Sequence, residues 1–181
     1  MTIPNLITIG RFLAVPVILY AMAEGAMLLA FVLFLLAGLS DAVDGIIARS
    51  FDQQSELGAK LDPVADKLLI VSVFIMLFLI GHLPVWLLVL VVSRDVLVLA
   101  AVAVSSLVGR PVKVAPIFVS KANTAVQIAL VVLVLAELAF SVEVGALRFI
   151  MILAAAGLTV LSGAAYFMVW IRHMAGSPEL P

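Results

Sequence analysis

The chain has 181 residues, 66% of them hydrophobic, and a mean hydropathy of +1.35, which indicates a one-domain integral membrane protein without a sizeable soluble part. A formal net charge of −1 excludes the basic footprint of a nucleic-acid-binding protein. Because cysteine is absent, disulfides, a thiol nucleophile and a cysteine metal site are excluded.

Six apolar runs, each close to the roughly 20 residues that cross a bilayer core, predict an all-α bundle of six transmembrane helices. The predicted spans are residues 6–23, 27–48, 62–80, 85–108, 122–140 and 147–171. We expect one transmembrane domain over residues 1–174 and a disordered tail over residues 175–181. No Lys or Arg precedes Arg11 and no small-residue cleavage site follows, so a cleaved signal peptide is not expected.

The basic residues between the predicted spans set the orientation by the positive-inside rule. One side of the membrane carries Arg49, Lys60, Lys67, Arg110, Lys113, Lys121 and Arg172. The other side carries Glu24, His82, Glu137, Glu143 and, as its one long basic side chain, Arg148. Both termini are therefore predicted to be cytoplasmic.

A polar stripe enters the first predicted span, because Asn5, Thr8 and Arg11 recur at about helical spacing. Two interpretations remain open. In the first, Asn5 caps the helix and Arg11 extends its charged end toward the membrane surface. In the second, the stripe faces a substrate.

Four aspartates lie close together between the second and third spans. Asp41 and Asp44 end one apolar run, and Asp62 and Asp66 open the next. On helices, the spacings i, i+3 and i, i+4 place each pair on one face. Two antiparallel helices joined by a short loop would bring these faces together. Ionisable groups at the edge of hydrocarbon are costly, so these acids are candidates for a functional site.

Four carboxylates in a small space need protons or cations to neutralise them. Ligands that are all oxygen suit hard divalent ions such as Mg²⁺ or Mn²⁺. Gly45 and Ala48 leave room beside the acids, and Arg49 offers a planar fork suited to phosphate. We therefore predict a divalent-metal site for a pyrophosphate substrate at the membrane surface. The structural alternative is helix capping, with the acids paired to Arg49 and Lys67.

The fourth span contains the adjacent charged residues Arg94 and Asp95. Neighbouring residues point in different directions on a helix, so we do not expect these two side chains to face each other. Arg94 is instead predicted to point into a cavity or to pair with another helix.

The fifth span opens with two polar strips at helical spacing, which are Lys121 with Thr124 and Asn123 with Gln127. Both strips are expected to face other helices. They indicate either hydrogen bonding between helices or a pocket for the phosphate of an acceptor, formed by Lys121 with Arg110 and Lys113. In the sixth span, small residues at 154–157 and 162–165 predict close helix packing.

The acidic motif also resembles a known family signature. The pattern D-x2-D-G-x2-A-R-x8-G-x3-D-x3-D fits without a gap at Asp41, Asp44, Gly45, Ala48, Arg49, Gly58, Asp62 and Asp66. It is similar to the signature of the CDP-alcohol phosphatidyltransferases. The resemblance covers nearly the whole chain and is strongest over residues 37–69. The opening N-x2-T-x2-R is also common in that family.

The resemblance implies transfer of a phosphatidyl group from CDP-diacylglycerol to an alcohol, with release of CMP. It implies that Asp41, Asp44 and Asp62, with Asp66 near or on them, hold Mg²⁺ or Mn²⁺, with two ions expected. Asp66 would be the base that takes the proton of the acceptor hydroxyl. The residues implied to line CDP-diacylglycerol are Asn5, Thr8, Gly45, Ala48, Arg49, Ser55 and Gly58.

The polar residues of the fourth and fifth spans resemble those of the eukaryotic-type cardiolipin synthases. Phosphatidylglycerophosphate synthases more often carry Arg-Glu and Gly-Lys-x-Lys-Thr at these places, and this chain departs from both patterns. The resemblance therefore implies phosphatidylglycerol as the acceptor and cardiolipin as the product, with glycerol-3-phosphate as the alternative acceptor. The residues expected near the acceptor phosphate are Arg94, Arg110, Lys113 and Lys121.

Two other classes of function remain as alternatives. Intramembrane carboxylates also serve cation-coupled transporters, although here the acids cluster at one membrane face. A catalytically inactive scaffold is disfavoured by the complete motif. We expect an inner membrane of bacterial or mitochondrial type, with the active site facing the cytoplasm or matrix. The expected partners are the two substrates and membrane lipid, without nucleic acid, and a homodimer is left open.

Overall fold

The computed structural model describes the backbone of residues 3–51, 56–108 and 118–174. It describes side chains at residues 10, 12–40, 67–105, 107–108 and 118–174. The predicted tail, residues 175–181, and three of the predicted site residues, Ser55, Arg110 and Lys113, lie outside the described residues.

The described residues form six α-helices and no strand, so the all-α prediction is confirmed. The helices are α1 (Ile3–Ala23), α2 (Met27–Phe51), α3 (Glu56–Leu79), α4 (Val85–Leu107), α5 (Phe118–Phe140) and α6 (Gly145–Met174). Three helical segments of the described part are long and apolar enough to cross a membrane: Val85–Ser105, Phe118–Phe140 and Gly145–Met174. Shorter apolar stretches lie in the other three helices, so the six-span arrangement and its orientation stay predictions.

Each predicted span overlaps one helix, but α3 begins at Glu56 instead of residue 62. α5 likewise begins at Phe118, before residue 122. The reason is physical, because hydropathy marks only the part of a helix that suits hydrocarbon. The backbone hydrogen bonds continue into polar residues beyond it.

Two glycines end helices in the first half of the chain. Gly25 follows α1 with a φ of 75°, and Gly81 follows α3 with a φ of 81°. At the first of these ends, the Ala26 amide donates to the Ala21 carbonyl over 2.8 Å. This is the Schellman arrangement, in which a glycine with positive φ avoids the strain that a Cβ would bring.

The chain divides into two compact units, and the first comprises residues 1–83 and 131–145. In it, α1 packs against both α2 and α3. Its fully buried side chains include Ile18 on α1 and Phe74 and Leu77 on α3. The Phe31 and Phe140 rings meet edge to face, with their centroids 5.6 Å apart. α1 is therefore the helix that holds the two acid-bearing helices of this unit.

The second unit comprises residues 84–130 and 146–181, and it contains all six buried polar side chains of the described part. They are Arg94, Ser105, Asn123, Gln127, Thr159 and Ser162. Large apolar side chains such as Leu99 and Leu161 are exposed on its outside. Polar groups inside and apolar groups outside are the arrangement that a helix bundle adopts in lipid.

A hydrogen-bond network joins α5 to α6 within this second unit. The Gln127 amide donates to Thr159 Oγ1 over 3.3 Å. The Thr159 hydroxyl lies 2.9 Å from Asn123 Oδ1 and 2.7 Å from the Ala155 carbonyl, so its one proton has two acceptors in reach. Bonding between helices is thus confirmed for the strip of Asn123 and Gln127.

The expectation that the other strip faces another helix is wrong for Lys121, which is exposed in the first turn of α5. For Thr124 it stays a prediction, because its hydroxyl donates over 3.2 Å to the Ser120 carbonyl of its own helix, a bond that is compatible with either orientation. Among the described bonds of these two strips, those to α6 involve Asn123 and Gln127.

Replacing Thr159 by Val should destabilise the bundle, because it leaves two buried amide side chains without their shared hydroxyl. Hydrogen bonds between membrane helices contribute about 0.6–2 kcal/mol, and the free energy of unfolding in an SDS titration should fall by that amount. Thr124→Val is the matched control, since that hydroxyl bonds only its own helix. Equal losses in the two variants would contradict a stabilising network between α5 and α6.

Candidate active site

The four aspartates lie on two helices of the first unit. Asp41 and Asp44 belong to the second half of α2, and Asp62 and Asp66 belong to the first half of α3. Helical backbone at these positions confirms the spacing argument, so the members of each pair occupy neighbouring positions on one helix face. Their side chains lie outside the described part, and the meeting of all four carboxylates stays a prediction.

The other residues of the signature fall on the same two helices, and the N-terminal polar stripe lies on α1. Gly45, Ala48 and Arg49 lie in α2, Gly58 lies in α3, and Asn5 and Thr8 lie in α1. Because α1 packs against both α2 and α3, the helix with the N-terminal polar stripe adjoins both acid-bearing helices. Side-chain contacts of these residues also lie outside the described part.

The donor set of this site consists of carboxylate oxygens, which are the ligands that Mg²⁺ and Mn²⁺ prefer. Among the described side chains, no group of three or more His, Cys, Asp and Glu could hold a metal ion. The four aspartates, outside those side chains, thus remain the candidate ligands. Their positions on α2 and α3 fit such a site, because each helix offers two carboxylates within one turn.

Arg94 lies in the second unit, where its side chain is 7% exposed. Its Nη1 donates to Asp95 Oδ1 over 2.8 Å, so the expectation that these neighbours do not face each other is wrong. The long arginine stem can bend back over the turn that separates two adjacent Cβ atoms. The expected pairing with other helices is confirmed, because Nη2 donates to Ser120 Oγ and Ser162 Oγ. A direct contact with an acceptor phosphate stays a prediction.

Two further features complete the surroundings of Arg94. Its Cζ lies 5.3 Å from the centroid of the Tyr166 ring, within the range of a cation–π interaction. Its Cγ lies 3.5 Å from where a Cβ would stand at Gly163, an ordinary van der Waals distance, so the stem lies against α6. Close helix packing by the small residues at 162–165 stays a prediction.

The sequence did not single out the hydroxyls of Ser105, Thr159 and Ser162 as partners. Ser105 accepts a hydrogen bond from Trp170 Nε1 over 2.9 Å and joins α4 to α6. Thr159 and Ser162 stand at i and i+3 on α6, a spacing that places two isolated hydroxyls on one face of an apolar helix. That spacing is the signal that could have identified them.

The similarity of this chain to known proteins includes the acidic motif and extends well beyond it. Residues 1–161 match the family model described as CDP-alcohol phosphatidyltransferase. The chain is 39% identical over 156 residues to the cardiolipin synthase (CMP-forming) of Rattus norvegicus, covering 77% of this chain and 52% of the rat protein. The human protein of the same name is 38% identical over the same coverage. The chain therefore spans about half the length of these relatives.

Other relatives are named for glycerol-3-phosphate as the acceptor. The chain is 33% identical over 182 residues to the CDP-diacylglycerol–glycerol-3-phosphate 3-phosphatidyltransferase of Pseudomonas fluorescens, covering 96% of this chain and 92% of the relative. The family match extends over most of the chain, and the gap-free signature stands on α2 and α3. On these grounds, the chain belongs to the CDP-alcohol phosphatidyltransferase family.

Proposed function

We propose that this protein transfers the phosphatidyl group of CDP-diacylglycerol to the hydroxyl of phosphatidylglycerol, giving cardiolipin and CMP with the help of a divalent metal. The observation that carries the proposal is the complete acidic signature on α2 and α3, two helices that both pack against α1. The choice of acceptor is supported by the 38–39% identity to two proteins named cardiolipin synthase.

The residues proposed to bind CDP-diacylglycerol and the metal ions belong to the first unit. Asp41, Asp44 and Asp62, with Asp66 beside them, would hold two Mg²⁺ or Mn²⁺ ions. When bound, such ions supply positive charge against the pyrophosphate and the leaving CMP. The residues proposed to line the nucleotide and pyrophosphate are Asn5, Thr8, Gly45, Ala48, Arg49, Ser55 and Gly58.

The reaction is an in-line displacement at phosphorus, in which catalysis consists mainly of positioning and charge stabilisation. The acceptor hydroxyl oxygen forms a bond to the phosphatidyl phosphorus of CDP-diacylglycerol. The bond from that phosphorus to the bridging oxygen of CMP breaks, and CMP leaves with the electron pair. Asp66 takes the proton of the acceptor hydroxyl. Asp66 follows Asp62 by one turn of α3, which keeps the base beside the metal ligands.

The acceptor phosphate would be held by basic residues at the beginning of α5. Lys121 lies in the first turn of α5 and is exposed, so its ammonium group can reach a ligand outside the bundle. The amino end of a helix also favours an anion. Arg110 and Lys113, which precede α5 in the sequence, would add charge at the same end. Arg94, the fourth residue predicted for this site, is buried and donates a hydrogen bond to Ser120 in the first turn of α5.

The membrane arrangement proposed here has six spans with both termini in the cytoplasm or matrix. Three long apolar helices and three shorter apolar stretches support this number of spans. The basic residues between α4 and α5 and in the last turn of α6 support the orientation. With this orientation the acids face the compartment into which soluble CMP is released. A homodimer is compatible with the proposal and is not required by it.

Glycerol-3-phosphate is the second candidate acceptor, and one observation favours it. The chain is 33% identical over 96% of its residues to the Pseudomonas fluorescens relative, whose name specifies glycerol-3-phosphate. Both acceptors carry a phosphate, so the basic residues of α5 suit either. A cation-coupled transporter would release no CMP, and a CMP assay separates it from both enzymes.

The direct test is product analysis by mass spectrometry after incubation of the purified protein with CDP-diacylglycerol, Mg²⁺ or Mn²⁺, and one acceptor at a time. We expect cardiolipin and CMP with phosphatidylglycerol. Formation of phosphatidylglycerophosphate without cardiolipin would overturn the acceptor and leave the family membership intact. Absence of CMP with every acceptor would contradict the enzymatic proposal.

Asp62→Asn should abolish nearly all activity, because it removes the negative charge of one metal ligand while the substrate itself stays anionic. The loss should appear in kcat, while the thermal midpoint in EDTA, where no metal is bound to either form, should be no lower than that of the wild type, because the substitution relieves repulsion among the carboxylates. Glu24→Gln is the matched control, since this exposed acid lies between α1 and α2 and outside the proposed site. Full activity of metal-stripped wild-type enzyme would refute the metal requirement.

Lys121→Ala should raise the KM for the acceptor by about tenfold, the effect of losing one hydrogen bond to a charged group. The KM for CDP-diacylglycerol should change much less, because the donor residues lie in the other unit. Arg172→Ala is the matched control, since it removes another exposed positive charge from the last turn of α6. Equal damage to donor and acceptor KM in the Lys121 variant would place this residue outside the acceptor site.

A further inference from the structure

A charged side chain is buried in the interior of α4, within the second unit. Arg94 is the tenth residue of this 23-residue helix, about 15 Å along its axis from Val85. The side chains of Arg94 and Asp95 are only 6% and 12% exposed. Such a pair is costly in a membrane helix and marks a functional site unless packing alone accounts for it.

The guanidinium of Arg94 joins three helices. Its Nη2 donates one proton to Ser120 Oγ of α5 over 2.7 Å and the other to Ser162 Oγ of α6 over 2.6 Å. Its Nη1 donates to Asp95 on its own helix. The planar fork reaches the two hydroxyls and the carboxylate from two separate nitrogens, whereas a lysine ammonium would have to reach all three acceptors from one nitrogen.

The contact with α5 falls on the first turn of that helix. Ser120 directly precedes the exposed Lys121, and the Ser120 carbonyl accepts a hydrogen bond from the hydroxyl of Thr124. The Arg94 fork therefore holds the backbone turn from which the Lys121 side chain extends. Movement of this turn would move the Lys121 ammonium directly.

Stability alone does not account for the arrangement. Arg94 Nε is buried and has no hydrogen-bond partner among the described residues. An apolar residue would avoid both this unpaired donor and the desolvation of an ion pair, and such replacements are often neutral or stabilising. The network of Thr159 with Asn123 and Gln127 already joins α5 to α6 deeper along α5 without any charge.

We infer that Arg94 is a positioning residue, which sets the first turn of α5 against α4 and α6 and so places Lys121 for the acceptor phosphate. This role rests on the acceptor site proposed above. Arg94 then serves the acceptor through Ser120, with its Nη1 and Nη2 both bonded within the protein.

The kinetic test compares Arg94→Gln, Arg94→Lys, Ser120→Ala and Ser162→Ala. Arg94→Gln and Ser120→Ala should raise the acceptor KM by up to about tenfold, with little change in kcat or in the KM for CDP-diacylglycerol. Arg94→Lys should recover part of the loss, since it keeps the charge without the fork. Ser162→Ala should have a smaller effect than Ser120→Ala, because it leaves the bond to α5 in place.

The matched control is Ser105→Ala. It removes the hydrogen bond from Trp170, which also joins α4 to α6 in the same unit but does not involve α5. A general loosening of the bundle would affect this variant as much as Ser120→Ala. We expect its acceptor KM to stay at the wild-type value.

A second readout measures position without substrate. The chain has no cysteine, so spin labels can be attached at Phe118→Cys and Leu153→Cys, two exposed positions on α5 and α6. Pulsed electron paramagnetic resonance should give a broader distance distribution when Arg94→Gln or Ser120→Ala is added. The distribution should keep its width with Ser105→Ala. If Arg94→Gln does not fold, the two serine variants carry the test.

The two readouts separate this inference from the proposed function. A broadened distribution together with a raised acceptor KM supports the inference. An unchanged distribution with a raised acceptor KM overturns it, because Arg94 would then bind the acceptor directly. A broadened distribution with an unchanged acceptor KM overturns the acceptor site at Lys121 and this inference with it. No change in either readout overturns the positioning role and leaves the Lys121→Ala test of the acceptor site standing.

Discussion

Mutual repulsion among four carboxylates at the edge of a hydrocarbon phase is the constraint on which the proposed chemistry depends. In the proposed site, ionised acids brought close together would need cations, and oxygen ligands select hard divalent ions, which in turn bind phosphate oxygens. The first unit supplies the framework, since Asp41 and Asp44 on α2 and Asp62 and Asp66 on α3 belong to helices that share α1 as a neighbour. The small residues of the signature accompany the acids on these helices.

In the second unit, several polar side chains are buried between helices. Its buried polar side chains lie inside apolar helices and are bonded to partners within the protein: Asn123 and Gln127 to Thr159, Trp170 to Ser105, and Arg94 to two serines. In lipid, a polar group without a partner would be costly, so these bonds also determine which helix faces meet. Most of the buried polar residues of the second unit thus serve helix placement, and Arg94 is the residue that we infer to connect helix placement with the proposed acceptor site.

Much of the fold could be predicted because long apolar runs and polar breaks determine where membrane helices lie. The beginning of α3 at Glu56 could not, since hydropathy does not detect a helix that continues into polar residues. The contact of Arg94 with Asp95 was also missed, because Cβ spacing ignores the reach of a long flexible stem. For the site, the spacing of the acids predicts which of them share a helix face. The hydrogen-bond partners of Thr159 and of Ser162 on other helices depend on which helices are neighbours, and a single sequence does not contain that information.

We propose that the four-aspartate centre binds a divalent ion together with the pyrophosphate of CDP-diacylglycerol. Electron–nuclear double resonance on Mn²⁺-loaded protein with CDP-diacylglycerol bound tests this arrangement directly. We expect a hyperfine coupling between Mn²⁺ and the ³¹P nuclei of the substrate, present in the wild-type protein and lost in Asp62→Asn. Binding of Mn²⁺ and substrate without ³¹P coupling, or the same coupling in Asp62→Asn, would contradict it.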